Sequence, residues 1–240
     1  MKAFLTVLAV ACLSLTACVF NSGKKVKGNG NVTTDTRTPG SFESVEQKGS
    51  FDVELLVGEQ ASITLEGEEN ILSKIETYVD GSTLKIKTEE GFNLRPTRTV
   101  RIKVTAPRYK QVFSYGSGNI ISESVIKNDE AMEVGTKGSG DVRIEVIAPE
   151  ITASIYGSGN VTLKGQTRKV KLECTGSGDL NAVDLLSEEA FVDIKGSGNA
   201  SVNTSKSLEV EVKGSGDVSY KGSPTIRTDF KGSGNLRKLE

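Results

Sequence analysis

The carboxylates best placed for joint chemistry are Asp141, Asp179 and Asp217, each closing a Gly-Ser-Gly-Asp motif. The same position holds Asn119, Asn160, Asn199 and Asn235 in the intervening Gly-Ser-Gly-Asn copies, so the motif occurs seven times with strict Asn/Asp alternation. Clustered acids of this kind could cleave a polysaccharide by general acid–base catalysis, and oxygen donors on glycine-rich turns could hold calcium. Acid–base work needs carboxylates in unlike surroundings, one protonated and one not, whereas these repeat in equivalent surroundings. Calcium-binding β-roll repeats are about half as long and carry Asp on every turn, which leaves calcium the weaker reading beside Asn and Asp as turn-capping side chains. The motif also lacks the lysine that follows the glycines of a phosphate-binding loop.

Other reactive types are scarce. The chain has no histidine, which excludes Ser-His-Asp and Cys-His sites and histidine-ligated zinc or iron. Beyond Cys12 and Cys18 its one thiol is Cys174, with no imidazole to activate it. There is no tryptophan, and the five tyrosines are scattered, so the aromatic platforms common in sugar-binding clefts are not apparent. A net charge of -1 with Lys and Glu interspersed offers no field for nucleic acid. These residues call for no catalytic group, cofactor or metal.

The elements that carry the motif follow from its spacing. Intervals between first glycines are 22, 19, 19, 20, 18 and 18 residues, the mark of stacked structural units. Two residues before that glycine stand Ser114, Thr136, Ile155, Cys174, Ile194, Val212 and Phe230, and four before it Val112, Val134, Ala153, Leu172, Val192, Val210 and Thr228. The positions between are polar or charged, with Lys137, Lys195, Lys213 and Lys231 directly before the glycine. This period-two alternation describes a strand with one buried face, and it assigns Cys174 to the core. The alternation resumes at Ile120, Val142, Val161, Leu180, Ala200, Val218 and Leu236, so the motif is a corner between two strands that face one core. Turns such as Lys164 to Thr167 and Lys221 to Pro224 absorb the uneven spacing. Coils of about 19 residues can bury their inner side chains only against coils above and below, which predicts an all-β fold, a parallel β-solenoid of right-handed sense. In such a stack an all-Asp column would repel by about 0.9 kcal/mol per neighbour at about 4.8 Å, and interposed Asn lowers this to about 0.4.

The first half is more elaborate. Gly28 to Val32 and Lys48 to Val53 read as degenerate copies of the motif. Between Gly49 and Gly116 strands are predicted at Phe51 to Val57, Ala61 to Glu66, Leu84 to Thr88 and Val100 to Thr105, with a hairpin turn at Asp80-Gly81. Ile71, Leu72 and Ile75 lie at helical spacing, predicting a helix over Glu68 to Ile75 that covers an open strand edge. Gly91 to Arg98 reads as a loop whose Arg95 and Arg98 are an exposed basic pair rather than an anion site.

At the amino terminus Lys2 precedes an apolar run from Ala3 to Leu15, the order of a secretory signal and too short to span a membrane. Leu15-Thr16-Ala17-Cys18 resembles the lipobox of bacterial lipoproteins, which implies cleavage before Cys18 and acylation there, a long-lived membrane anchor. The expected organisation is a signal peptide over 1–17, a tether over 18–30 and one solenoid domain over 31–240, of which 108–240 is the regular repeat.

The Gly-Ser-Phe-Asp-Val opening at Gly49 to Val53, the Asp80-Gly81 hairpin with Leu84-Lys85-Ile86, the Ala106-Pro107 step and the ladder from Gly116 onward together resemble the putative auto-transporter adhesin, head GIN domain family of Bacteroidetes envelope proteins. The resemblance implies a β-helix-like domain on a lipoprotein anchor in the outer membrane, without fixing the face, and a non-catalytic adhesin or binding module for a glycan or protein ligand. Nothing after the ladder is long enough for a translocator barrel, so self-transport is not expected. A pectinase-like β-helix enzyme and a purely structural envelope component are the alternatives.

Overall fold

Alternating Val, Ile and Leu against polar residues produce strands of unusual length. In the computed structural model, which describes residues 23–240, Val142–Gly157, Val161–Gly176, Leu180–Gly196 and Ala200–Gly214 each run through two faces of one coil, bending between them while remaining paired. Successive coils pair in parallel, aligning Ile155, Cys174, Ile194, Val212 and Phe230 in one column. Val142, Val161, Leu180, Ala200 and Val218 form the matching buried column after the corner. The parallel solenoid of about 19-residue coils is therefore what the repeat predicted. Extra residues are absorbed by register shifts between Thr162 and Lys164 and between Ala182 and Leu186. At the expected turn, Lys164 to Thr167, the chain bends at Gly165 (φ +114°) but stays paired with the coil before it, because that coil supplies hydrogen-bond partners through the bend.

The first half does not stack in chain order. Ser44–Lys48 and Asp52–Val57 form the coil that contacts Gln111–Ser114 and Ile120–Ser122. The intervening chain passes to the outer side of that coil, where Thr83–Thr88 pairs with Ser44–Lys48 and Arg101–Ala106 with Asp52–Val57. It returns across the edge through Tyr109, a buried residue whose hydroxyl lies 2.8 Å from the Leu56 carbonyl oxygen and 2.7 Å from that of Val104.

Three antiparallel strands then close this end: Ile75–Asp80 on Thr83–Thr88, Ser62–Glu68 on Arg101–Ala106, and Val32–Arg37 outermost on Ser62–Glu68. The Arg37 guanidinium joins the two faces, donating to the carbonyl oxygens of Ile75 (2.7 Å) and Leu72 (3.3 Å) and to the Thr77 hydroxyl (3.0 Å). The helix expected over Glu68 to Ile75 is only one turn, Glu69–Leu72, with Ile71 and Leu72 buried. A helix that short is poorly nucleated, and its flanks find strand partners instead, Glu68 on Val32 and Ile75 on Thr88. Strands, not a helix, cover the edge.

The loop expected from Gly91 to Arg98 contains a strand, Phe92–Arg95, which pairs in parallel with Lys24–Lys27. Val26 and Leu94 sit opposite each other and pack on the core, so the expected tether is bound to the domain from Lys24 onward. The expected signal peptide, Cys18 and the expected tether up to residue 22 lie outside the described residues.

Glu68 holds these segments together. Its buried carboxylate accepts from the Thr97 hydroxyl (2.6 Å) and from the backbone N–H groups of Thr97 (2.7 Å), Gly30 (2.7 Å) and Arg98 (3.3 Å). The Thr97 hydroxyl foremost, with these N–H groups, lowers its pKa to about 2 against the opposing effect of burial. A depressed carboxylate stabilises the fold fully above its ordinary value of 4.5, and that contribution is lost as the pH falls toward about 2. The difference in thermal midpoint between the native chain and Glu68→Gln should thus be largest at neutral pH and shrink steadily in acid. An unchanged difference at both ends of that range would contradict the assignment.

Candidate functional site

The corners are built by contact between rungs. Each first-glycine carbonyl accepts the N–H of the serine one coil on, as in Ser158 to Gly138 (3.1 Å) and Ser177 to Gly157 (3.0 Å). Gly176 takes φ of +136°, and a Cβ there would collide with the Gly157 carbonyl oxygen, so glycine is required for both conformation and space.

The Asn and Asp side chains form a directional ladder. The backbone N–H of each corner residue donates to the Oδ1 one coil earlier: Asp141 to Asn119 (3.0 Å), Asn160 to Asp141 (3.1 Å), Asp179 to Asn160 (2.9 Å), Asn199 to Asp179 (2.9 Å), Asp217 to Asn199 (3.0 Å) and Asn235 to Asp217 (2.8 Å). Each of Asn160, Asn199 and Asn235 also donates its side-chain amide to the same carboxylate oxygen, at 2.9, 2.9 and 3.3 Å. The ladder starts one coil before the expected set, at Asp52, which accepts from the N–H and the amide of Asn119, both at 3.1 Å. Asp52 stands three residues after Gly49, the same offset as in every other copy, but Phe51 in place of the second glycine disguises it. There the buried Gln47 donates to the carbonyl oxygens of Gly49 (2.9 Å) and Phe51 (3.1 Å).

Asp141, Asp179 and Asp217 take the same place in their coils and are separated from one another by Asn, each with an oxygen committed to the next corner; among the described residues Asp141 alone of the three also forms an ion pair, with Arg143 at 2.8 Å. Among the described residues no group of three or more His, Cys, Asp and Glu could hold a metal ion. Cys174 is buried, its Sγ 3.2 Å from the Gly178 carbonyl oxygen, and burial pushes the thiol pKa up, away from thiolate chemistry. Arg95 and Arg98 are exposed, as an ordinary basic segment would be.

The feature that sequence reading missed lies on the outward face just before the corners. The position preceding the first glycine is lysine in several coils, but it is Tyr115 and Tyr156 in two, on either side of Lys137. The Lys137 ammonium stands 5.2 Å from the Tyr115 ring, 5.6 Å from the Tyr156 ring and 5.5 Å from that of Phe113. Phe113 and Tyr115 have ring centroids 6.2 Å apart, and the Lys48 ammonium lies 4.9 Å from the Tyr115 ring. Gly135 makes room, since a Cβ there would come within 2.7 Å of the Phe113 ring. Tyr156 is 49% exposed, so the cluster is open to solvent.

Charge distinguishes this cluster from most of the face; among the described residues Lys213 also forms no salt bridge, but Glu211 stands two residues before it. Further along, lysines have carboxylate partners two residues away: Lys171 with Glu173 (2.6 Å), Lys195 with Asp193 (2.5 Å) and Lys231 with Asp229 (3.0 Å). Two residues before Lys137 stands Gly135, and among the described residues no carboxylate pairs with it. Lys137 is a cation held over rings, a combination suited to stacking and donating to a ligand. The signal was present in the sequence as two tyrosines in the lysine column, visible once all copies are aligned.

A concavity of about 350 Å³ lies under the first corner, where residues 89–100 replace a corner motif; Phe51, Phe92, Leu94 and Val100 line it together with Ser50, Asp52, Asn93 and Thr99.

The sequence profile described as putative auto-transporter adhesin, head GIN domain, matches residues 41–224. Among solved structures, a putative lipid binding protein from Parabacteroides distasonis ATCC 8503 is 27% identical, with TM-score 0.76 over 90% of this chain and 100% of that one. A putative adhesin from Bacteroides fragilis NCTC 9343 shares the fold at TM-score 0.85 and 22% identity, covering 89% of this chain and 100% of its own. Another from Parabacteroides merdae ATCC 43184 does so at 0.66 and 22%, covering 91% and 100%. No curated protein matches the chain.

The ladder predicts an asymmetry between its two residue types. Asn199→Asp removes the amide bond to Asp179 and sets carboxylates on adjacent rungs with Asp179 and Asp217, costing roughly 2–3 kcal/mol at neutral pH. Asp179→Asn keeps the Oδ1 acceptor and should change stability by less than about 1 kcal/mol. Chemical denaturation of both variants checks this, and equal losses would contradict the directional ladder.

Proposed function

The chain belongs to the head GIN domain family, and from that membership we propose that it is a non-catalytic, adhesin-type binding module of the cell envelope, anchored in the outer membrane through acylated Cys18. The observation that carries the reading is the solvent-facing cluster of Phe113, Tyr115, Lys137 and Tyr156 on a face whose spacing is fixed by stacked corners. Exposed rings offer stacking surface at little entropic cost, and an unneutralised ammonium among them supplies a directional donor. A rigid, flat, ring-bearing surface binds a glycan or a protein without having to reorganise. The Asp ladder favours binding over cleavage, because each carboxylate is already engaged by the next corner and none faces a second acid across a cleft among the described residues.

A second reading rests on the cavity beneath the first corner, where Phe92 and Leu94 stand beside Ser50, Asp52, Asn93 and Thr99, a mixed wall that suits an amphiphile with an apolar chain and a polar head. The Parabacteroides distasonis relative described as a lipid binding protein favours the same chemistry.

Glycan and extracellular-matrix panels probed with the native chain and with Tyr115→Ala/Tyr156→Ala should give a ligand whose binding falls at least about tenfold in the variant. Absence of any ligand above a scrambled control, or binding indifferent to both tyrosines, would sink the proposed docking face. Protease added to intact cells should remove the domain. Full protection would place it inside the envelope and end the adhesin reading.

A further inference from the structure

The two ends of the solenoid are finished differently. One is covered by antiparallel strands and joined by Arg37, and it lacks a corner motif on its outer coil. At the other, Thr225–Gly232 pairs on its inner side with Ala200–Gly214, and Leu236–Lys238 with Val218–Lys221; no described strand pairs with their outer sides. Thr225–Gly232 has no proline and no register shift, and it is exposed over nearly its whole length, so it presents a row of unmet backbone donors and acceptors.

We propose that this edge is an interface with a second copy of the chain, formed by antiparallel pairing of residues 225–231 about a two-fold axis at Thr228. The sequence Thr-Ile-Arg-Thr-Asp-Phe-Lys is complementary to its own reverse about that residue. Antiparallel pairing sets Arg227 opposite Asp229 of the second copy, and Ile226 opposite its Phe230. Both charged residues lie on the outward face, while Ile226 and Phe230 continue the buried columns of Leu208 and Val212. Asp229 lies 3.0 Å from Lys231 of its own strand, and the second copy's Arg227 would share that carboxylate. Pairing about a two-fold axis uses the same edge on both copies, so pairing of like ends closes at a dimer.

Sedimentation velocity of the full chain over about a hundredfold concentration range should show a monomer–dimer equilibrium. Asp229→Arg opposes two arginines across the axis while gaining Glu211 as a neighbour within its own coil stack, so it keeps the fold and should weaken the dimer at least about tenfold. Arg227→Asp/Asp229→Arg swaps the charges and should restore it to within about threefold. Thr228→Cys should form an interchain disulfide, since antiparallel partners have Cα atoms about 4.5–5.5 Å apart, within disulfide range. A monomer at every concentration, a dimer indifferent to Asp229→Arg, a double swap no better than the single change, or an uncrosslinked Thr228→Cys dimer would each overturn the proposal.

Discussion

The structure depends on how closely one corner sits on the next. A glycine carbonyl oxygen occupies the space that a side chain on the following coil would need, and the N–H groups of that coil turn inward to meet it. This contact forces glycine at the bend and fixes the vertical register of the strands that leave it. Register in turn decides which residues align: with a side-chain period of two, a slip of one position would expose Ile155, Cys174, Ile194 and Val212 together. The core is a consequence of the corner as much as its cause.

The Asn/Asp ladder extends that contact into solvent. Both residue types present an oxygen to the next N–H, and only Asn returns a donor, so the Asp–Asn steps carry two hydrogen bonds and the Asn–Asp steps one. Relief of repulsion among stacked carboxylates, from about 0.9 kcal/mol at one-rung spacing to about 0.4 at two, is the smaller reason for alternation. The second hydrogen bond that each Asn amide returns to the coil before it is the larger. Corners committed to holding one another in this way leave function to the flat faces, where Lys137 and its rings interrupt a self-neutralised pattern of lysines and acids.

Much of this was legible from residue types because every coil repeats the same local rule. Period-two alternation located the strands, the glycine spacing located the corners, and the column containing Cys174 was assigned to the core correctly. Coil order in the first half was not legible. Strand patterns at Leu84 to Thr88 and Val100 to Thr105 do not state on which side of Ser44–Lys48 they stack; that choice is made by long-range burial and by Tyr109 crossing the edge. The apolar spacing of Ile71, Leu72 and Ile75 fits one helical turn followed by a strand as well as it fits a helix, and the available strand partner decides. Asp52 and the Tyr115/Tyr156 pair were hidden for another reason: each sits in a copy that departs from the consensus, and only full alignment of the columns reveals them.

Backbone hydrogen exchange at the corners tests the central claim most directly. The N–H groups of Asn160, Asp179, Asn199 and Asp217 sit on exposed corner residues, where an ordinary turn would exchange freely. If each is held by the side-chain oxygen of the coil before it, these amides should exchange as slowly as those of the buried strands and open only with global unfolding. Exchange at the rate of a solvent-exposed turn, with the strands still protected, would contradict the account.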